Sequence, residues 1–181
     1  METEERILEA AARLLEEQGI DGMTTRAVCQ LAGITAPTLY HHYGDKNGLV
    51  RAVVTAGIDQ FMAMKQALRV TDDPLADLRQ GWDGWIAFGL ERPALFRLMI
   101  EAARSDPGLL TASYQHMKDN VLRIESTRRL RVDASVAVSS VWAAASGMQA
   151  LFAQGARRAE IESVSDFLFK SVLDGLVDED R

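Results

Sequence analysis

Between residues 40 and 43 the chain sets Tyr40, His41, His42 and Tyr43 in a row, inside the stretch GITAPTLYHHYGDKNGLV, residues 33–50. Four hydrogen-bonding rings side by side suit three kinds of chemistry. An imidazole can act as a general base, two imidazoles can ligate a metal, and ring tips that carry donors can hold phosphate oxygens. The first use needs an acid or nucleophile beside the base, and no such motif surrounds His41 or His42. The second needs ligands that converge. Adjacent residues on a helix point apart, and the one other histidine is His116, far along the chain. No catalytic residue, metal or cofactor is therefore assigned. Phosphate contact and plain solvent exposure both remain open.

Bulk properties leave only a local route to function. The 181 residues are 48% apolar and 25% charged, ordinary for a soluble globular chain. They suffice for one domain with a sizeable core, or for a small domain joined to a larger one. The formal net charge of -6 means that no global basicity points to a nucleic acid. A single cysteine, Cys29, excludes a disulfide framework and fits a reducing, cytoplasmic setting. The opening METEERILEAAARLLEEQG is acidic and amphipathic, unlike a signal or transit peptide. From Ala134 to Ala156 no residue is charged, and that length would span a bilayer. Its serines, its glutamines and its richness in alanine favour a buried or interfacial helix, with no membrane partner.

The elements that must position the rings are helical. Apolar residues recur at helical spacing and no run alternates as a strand would, so the expected fold class is all-α. Helix one is expected from about Glu4 to Gln18, capped by Thr3 and ended at Gly19. Helix two follows the N-cap Thr24, turns Ala27, Val28, Leu31 and Ala32 inward, and stops at Gly33. Thr35 is expected to cap helix three, Ala36 to Tyr43. Pro37 falls in its first turn, where a missing N–H costs nothing. Helix four runs from Lys46 towards Leu68. Helices five to nine are expected at about Leu75 to Leu90, Leu95 to Ala102, Leu109 to Ser126, Ala134 to Ala156, and Val164 to Val177, the last capped by Ser163.

Two short helices joined by a tight Ala-Gly-Ile turn make a helix-turn-helix pattern, whose second helix enters the DNA major groove. The residues sharpen it. From Ile7 to about Val50 the chain resembles the tetracycline-repressor (TetR) family of bacterial transcription regulators. The resemblance rests on Gly22, Thr24, the Ala32-Gly33 turn, the run Leu39-Tyr40-His41-His42-Tyr43, Lys46 and Leu49. Departures are Met23 for a common aromatic, Cys29 for a small alanine, and Leu31 for a polar residue. Cys29 reads most simply as a small buried hydrophobe.

The resemblance implies roles. Thr35, Ala36, Pro37 and Thr38 would form the groove-facing start of helix three, with Pro37 and Ala36 near a thymine methyl. Tyr40, His41 and His42 would ring the exposed side and bond phosphates, while Leu39 and Tyr43 face the core. Lys46 and Arg26 would hold phosphates at the groove's edges. Residues 22–51 carry three bases, Arg26, Lys46 and Arg51, against one acid, Asp45. The basic patch is local and thin.

A division follows: a DNA-binding domain over residues 1–48 and an effector-binding and dimerisation domain over 49–181. Helix five presents Leu75, Leu78, Trp82, Trp85, Ile86 and Gly89 on one side. Helix seven sets Leu110, Tyr114, Met117, Val121 and Ile124 in register, with His116 and Asn120 outside. In the family this region encloses a small-molecule pocket. Trp82, Trp85, Phe88, Phe96, Met99, Tyr114 and Met117 are bulky and adaptable enough to line one for a mainly apolar effector, or simply to fill a core. The resemblance makes helices eight and nine the interface of a homodimer, with Ala144 among its small residues.

The expected function is thus a ligand-responsive regulator, a repressor, that binds palindromic double-stranded operator DNA as a dimer in the bacterial cytoplasm. Two other classes compete: an all-α enzyme using His41, His42 or His116, and a helical adaptor that binds only protein.

Overall fold

The computed structural model describes residues 2–127 and 130–178. Helices make up almost all of it: α1 (Thr3–Gly22), α2 (Thr25–Ala32), α3 (Ala36–Tyr43), α4 (Lys46–Ala67), α5 (Pro74–Glu91), α6 (Pro93–Ser105), α7 (Thr111–Thr127), α8 (Ala134–Ala153) and α9 (Arg158–Leu176). A 3-10 turn, Pro107–Leu110, leads into α7. Among the described residues the one extended pairing is an antiparallel bridge between Leu130 and Val177. The all-α expectation holds.

Local chemistry explains most of the boundaries. Thr24 accepts from the Ala27 N–H at 3.1 Å and Asp45 from the Gly48 N–H at 2.7 Å. Asp73 accepts from the amides of Leu75 and Ala76. Each side chain satisfies helix-start donors that have no partner within the helix.

Several boundaries depart from expectation. Thr3 lies inside α1, whose cap position is Glu2 without a side-chain bond. Thr35 occupies the α3 cap position but spends its hydroxyl on Thr38, Oγ1 to Oγ1 at 2.9 Å. α6 begins at Pro93, two residues early, because proline suits the first turn of a helix. α9 begins at Arg158, so Ser163 sits in its second turn and its hydroxyl donates back to the Ala159 carbonyl at 2.8 Å. α8 stops at Ala153, short of Ala156, and Gly155 turns the chain away with φ 73°.

The buried core is one continuous cluster from Ile7 to Val177. α1 packs on α2 and α4, and also on α6. α7 lies between α5 and α8, and α8 packs on α9. Leu31, expected inside, is 43% exposed. α2 is only eight residues long, and Val28, Cys29 and Ala32 already fill its contact with α1. Cys29 is buried and free, as expected of a small hydrophobe.

α8 is long and apolar enough to cross a membrane by length and composition, with a mean hydropathy of 1.4. One third of that stretch is buried in the fold, including Ala137, Val141 and Met148. Ala144 belongs to this buried side, at 8% exposure, and not to an outer interface. Every fourth or third residue of α8 turns inward, which places Ala144 beside Val141 and Met148 on one stripe.

Candidate nucleic-acid interface and effector cavity

The α2–α3 pair is built around Gly33. Its φ of 64° and ψ of 41° are left-handed, a conformation that favours glycine, and its N–H donates to the Cys29 carbonyl. Arg6, on α1, donates to the carbonyls of Ala32 and Gly33. The turn is therefore clamped from the first helix. Sequence reading had no signal for Arg6, because the contact joins residues 26 and 27 positions apart.

On α3 the sides separate as expected. Leu39 is fully buried and Tyr43 half-buried, its hydroxyl 3.4 Å from the Glu4 carbonyl oxygen. Burial, and then the charge of Glu4, raise the Tyr43 pKa. Thr35, Ala36, Pro37, Tyr40 and His41 are exposed; Thr38 is half-buried. Tyr40 shows 46% of its surface.

His42 differs from its neighbours. Its Nδ1 is 3.0 Å from Glu4 Oε1, and its side chain is only 24% exposed. It ties α3 to α1 as much as it faces outward. Lys46 donates to the Ile20 carbonyl at 3.2 Å, which leaves two ammonium hydrogens for another acceptor. Arg26 is exposed on α2.

A carboxylate joins this head to the rest of the chain. Glu16, near the end of α1, accepts from the backbone amides of Ala94 at 3.0 Å and Leu95 at 2.8 Å. α6 has no side-chain cap of its own, so α1 supplies it. α4 crosses α6 at Gly57, where a Cβ would lie 3.0 Å from Leu95 Cδ1 and 3.1 Å from Met99 Sδ.

Inside the larger half lies a cavity of about 70 Å³. Trp82, Trp85, Phe96, Met99 and Met117 line it. Two expected members do not. Phe88 lies behind the wall, 5.4 Å from Phe61 and 6.2 Å from Phe96 between ring centroids. Tyr114 packs edge-on against Trp142 at 5.1 Å, and Trp142 takes the lining position. In both cases one helical face is wider than the cavity it borders, so its flanking rings pack on helices instead. The Trp82 indole is fixed from behind, donating at 2.7 Å to Ser165 on α9.

One end of the cavity is polar. Lys65, on α4, is only 7% exposed; its ammonium is 3.5 Å from Ser113 Oγ and 5.1 Å from the Phe61 ring. Burial pulls its pKa down from the usual 10.5 to about 8. His116 and Asn120, expected outside, line this end, and Asn120 is buried. α7 packs on α5, on α8 and on the 3-10 turn, so more than one of its faces points inward. Burial, and then the Lys65 charge, lower the His116 pKa.

Comparison with known proteins decides what the head is. A family model described as bacterial regulatory proteins, tetR family, matches residues 7–53, which span α1 to the first turns of α4. Residues 7–53 carry the helix-turn-helix domain of the tetR family, and there the chain is similar to its members. The class D tetracycline repressor of Escherichia coli is 49% identical over 49 residues, 27% of this chain and 22% of that protein. The match thus spans about a fifth of that repressor's length. The transcriptional repressor AcnR of Corynebacterium efficiens is 25% identical over 184 residues, 93% of this chain and 91% of its own. A TetR transcription regulator from Haloarcula marismortui superposes with a TM-score of 0.79 at 18% identity, covering 97% of this chain and 98% of that one. PfmR, a TetR family regulator from Thermus thermophilus, gives 0.69 at 24% identity, over 96% and 100%.

The proteins it matches carry the names of transcription regulators and repressors. The family match ends at residue 53, before every residue that lines the cavity. The family match therefore speaks for the head and not for the cavity. At these identities the solved structures speak for the fold alone.

Proposed function

We propose that the chain is a dimeric repressor that binds palindromic operator DNA through α2 and α3 and is released by a small molecule held in the α4–α8 cavity. One observation carries the DNA reading: a clamped helix-turn-helix whose second helix exposes Thr35, Ala36, Pro37, Tyr40 and His41 together. Such a row can meet base edges at the helix start and phosphates along its side. Arg26 and Lys46 flank it, and His42 serves from its perch on Glu4. Residues 1–48 form the reading head in this scheme. Residues 49–181 bind effector and partner subunit, although the two share one core.

The dimer reading is supported by what α8 and α9 leave uncovered. Val136, Val164 and Phe167 are 48%, 37% and 74% exposed. A second copy packed on this face would cover them, and would also account for the apolar length of α8 without a membrane. The protein then works in the cytoplasm, where its DNA is.

Gel shifts with tiled fragments from the DNA around its own coding region test the proposal. One fragment with a two-fold symmetric site should be retained at low protein concentration in the presence of competitor DNA. Retention of all fragments alike, or of none, would sink the repressor reading. Failure of the Tyr40→Ala variant to weaken the shift would move the contact surface off α3.

A further inference from the structure

We infer that the effector of this cavity is a small amphiphilic anion, a carboxylate on an apolar chain or ring, with its charged end on Lys65 and its body among Trp82, Trp85 and Phe96. The inference rests on the effector reading above and names the ligand class.

Three observations converge. Lys65 is buried at the cavity, yet no carboxylate lies within ion-pair distance of it among the described residues; its polar contact is the long one to Ser113. Among the described residues no acid lines the cavity: Lys65 and His116 are the ionisable side chains on its wall, facing each other from α4 and α7, and α5, α6 and α8 contribute none. The rest of the wall is aromatic and aliphatic, with Asn120 and Gln149 near enough to add hydrogen bonds.

The physics then selects among ligands. A buried ammonium without a counter-charge weighs against the fold. A neutral apolar ligand would deepen that burial and leave the amine unpaired. A cation would meet Lys65 with like charge. A carboxylate supplies the missing partner inside a low-dielectric space, where a charge-assisted hydrogen bond is strong. Binding would also restore the proton that burial loosens, so acid affinity should fall as pH rises through about 8.

The chain's three tryptophans, Trp82, Trp85 and Trp142, all line the cavity, so its own fluorescence reports binding. Octanoate and octanol, and phenylbutanoate and phenylbutanol, are the probes, each titrated into the full-length protein. At least one acid should bind about ten- to a hundred-fold tighter than its alcohol at pH 7, the range expected for a hydrogen bond to a charged group. Lys65→Met should erase that preference while keeping alcohol binding, and Lys65→Gln provides a second neutral variant. The preference should narrow between pH 7 and pH 9. Equal binding of acid and alcohol, a preference that survives both variants, or no acid binding at all would overturn the inference.

The same titrations on the operator complex separate this idea from the one beneath it. Alcohols that bind and release DNA would keep the effector reading and remove the anion. An acid that binds the cavity and leaves DNA bound would do the reverse.

Discussion

At the residue scale the reading head and the cavity make opposite demands. Tyr40 is useful because it is exposed and uncommitted. Tyr40→Ala should weaken specific operator binding by about 1–3 kcal/mol, with Thr38→Ala at the lower end because Thr38 is half-buried against Thr35. Quantitative gel shifts on wild-type and scrambled operators would show whether the loss is specific. Lys65 would serve an effector because it is buried with no carboxylate in ion-pair distance among the described residues, and its cost can be measured without any ligand. Its folded-state pKa of about 8 lies below the unfolded value of 10.5, so the unfolded chain holds more protons between those limits. The penalty is therefore full below about pH 8 and shrinks as pH rises through that window. Lys65→Met should be the more stable protein at pH 7, and its advantage should shrink by about 1 kcal/mol by pH 9. Paired denaturant unfolding curves at the two pH values decide it. An advantage that stays constant would mean that packing, not charge, separates the variants.

At the element scale the proposed scheme requires an effector signal to pass from α4–α8 to α3. Two physical links exist. α4 carries Lys65 at the cavity and Lys46 beside the head, and it meets α6 closely at Gly57. Glu16 is the second, holding the start of α6 from α1 while Arg6 on that same helix holds the turn before α3. Glu16→Gln keeps some acceptor capacity; Glu16→Ala leaves the amides of Ala94 and Leu95 uncapped. The alanine variant should lose about 0.5–2 kcal/mol of stability, as lost caps do. It should also need more effector to release DNA, with direct operator affinity changed less. Release curves that match wild type would assign the coupling to α4 alone. The outline of the head was legible in the sequence, because its signals are local: Thr24 as a cap, Gly33 as the left-handed stop, Pro37 as a first-turn residue. α9 was misplaced because its start has no cap. Arg158 is held instead by the Leu90 carbonyl and Glu162, one of them 68 residues away. The polar end of the cavity was illegible for a related reason. Periodicity assigns a helix one inner face, and α7 is enclosed on several, so His116 and Asn120 read as outer residues. Nothing local marks Glu16 or Arg6, because the groups they hold lie on other helices.

At the scale of the whole molecule, the proposed repressor needs its cavity and its dimer to work as one device. About 70 Å³ is less than the several hundred that a drug-sized ligand fills, so such a ligand must part the helices around it. A ligand that prefers the parted state about 100-fold shifts the balance by roughly 2.7 kcal/mol, and operator DNA must weaken that ligand by the same factor. The shift matters only if two heads are held at a fixed spacing. Half-sites one turn apart are separated by about 34 Å, and separate monomers lose the gain from binding both at once. The uncovered face of α8 and α9 is where that spacing would be set. Phe167 is 74% exposed, and a side chain at Gly147 would meet no atom within 4 Å, so neither position supports the subunit's own core. Phe167→Glu and Gly147→Glu should therefore leave helix content and thermal unfolding nearly unchanged while converting the dimer to monomers. A charge at Ala144 would not test the same thing, because that residue packs inside the subunit. Sedimentation should show the change in mass, and operator binding should fall by about a hundred-fold or more, in line with the loss of a linked second contact. Dimers that persist in both variants would place the two-fold axis on another face, and with it the geometry by which the effector acts on DNA.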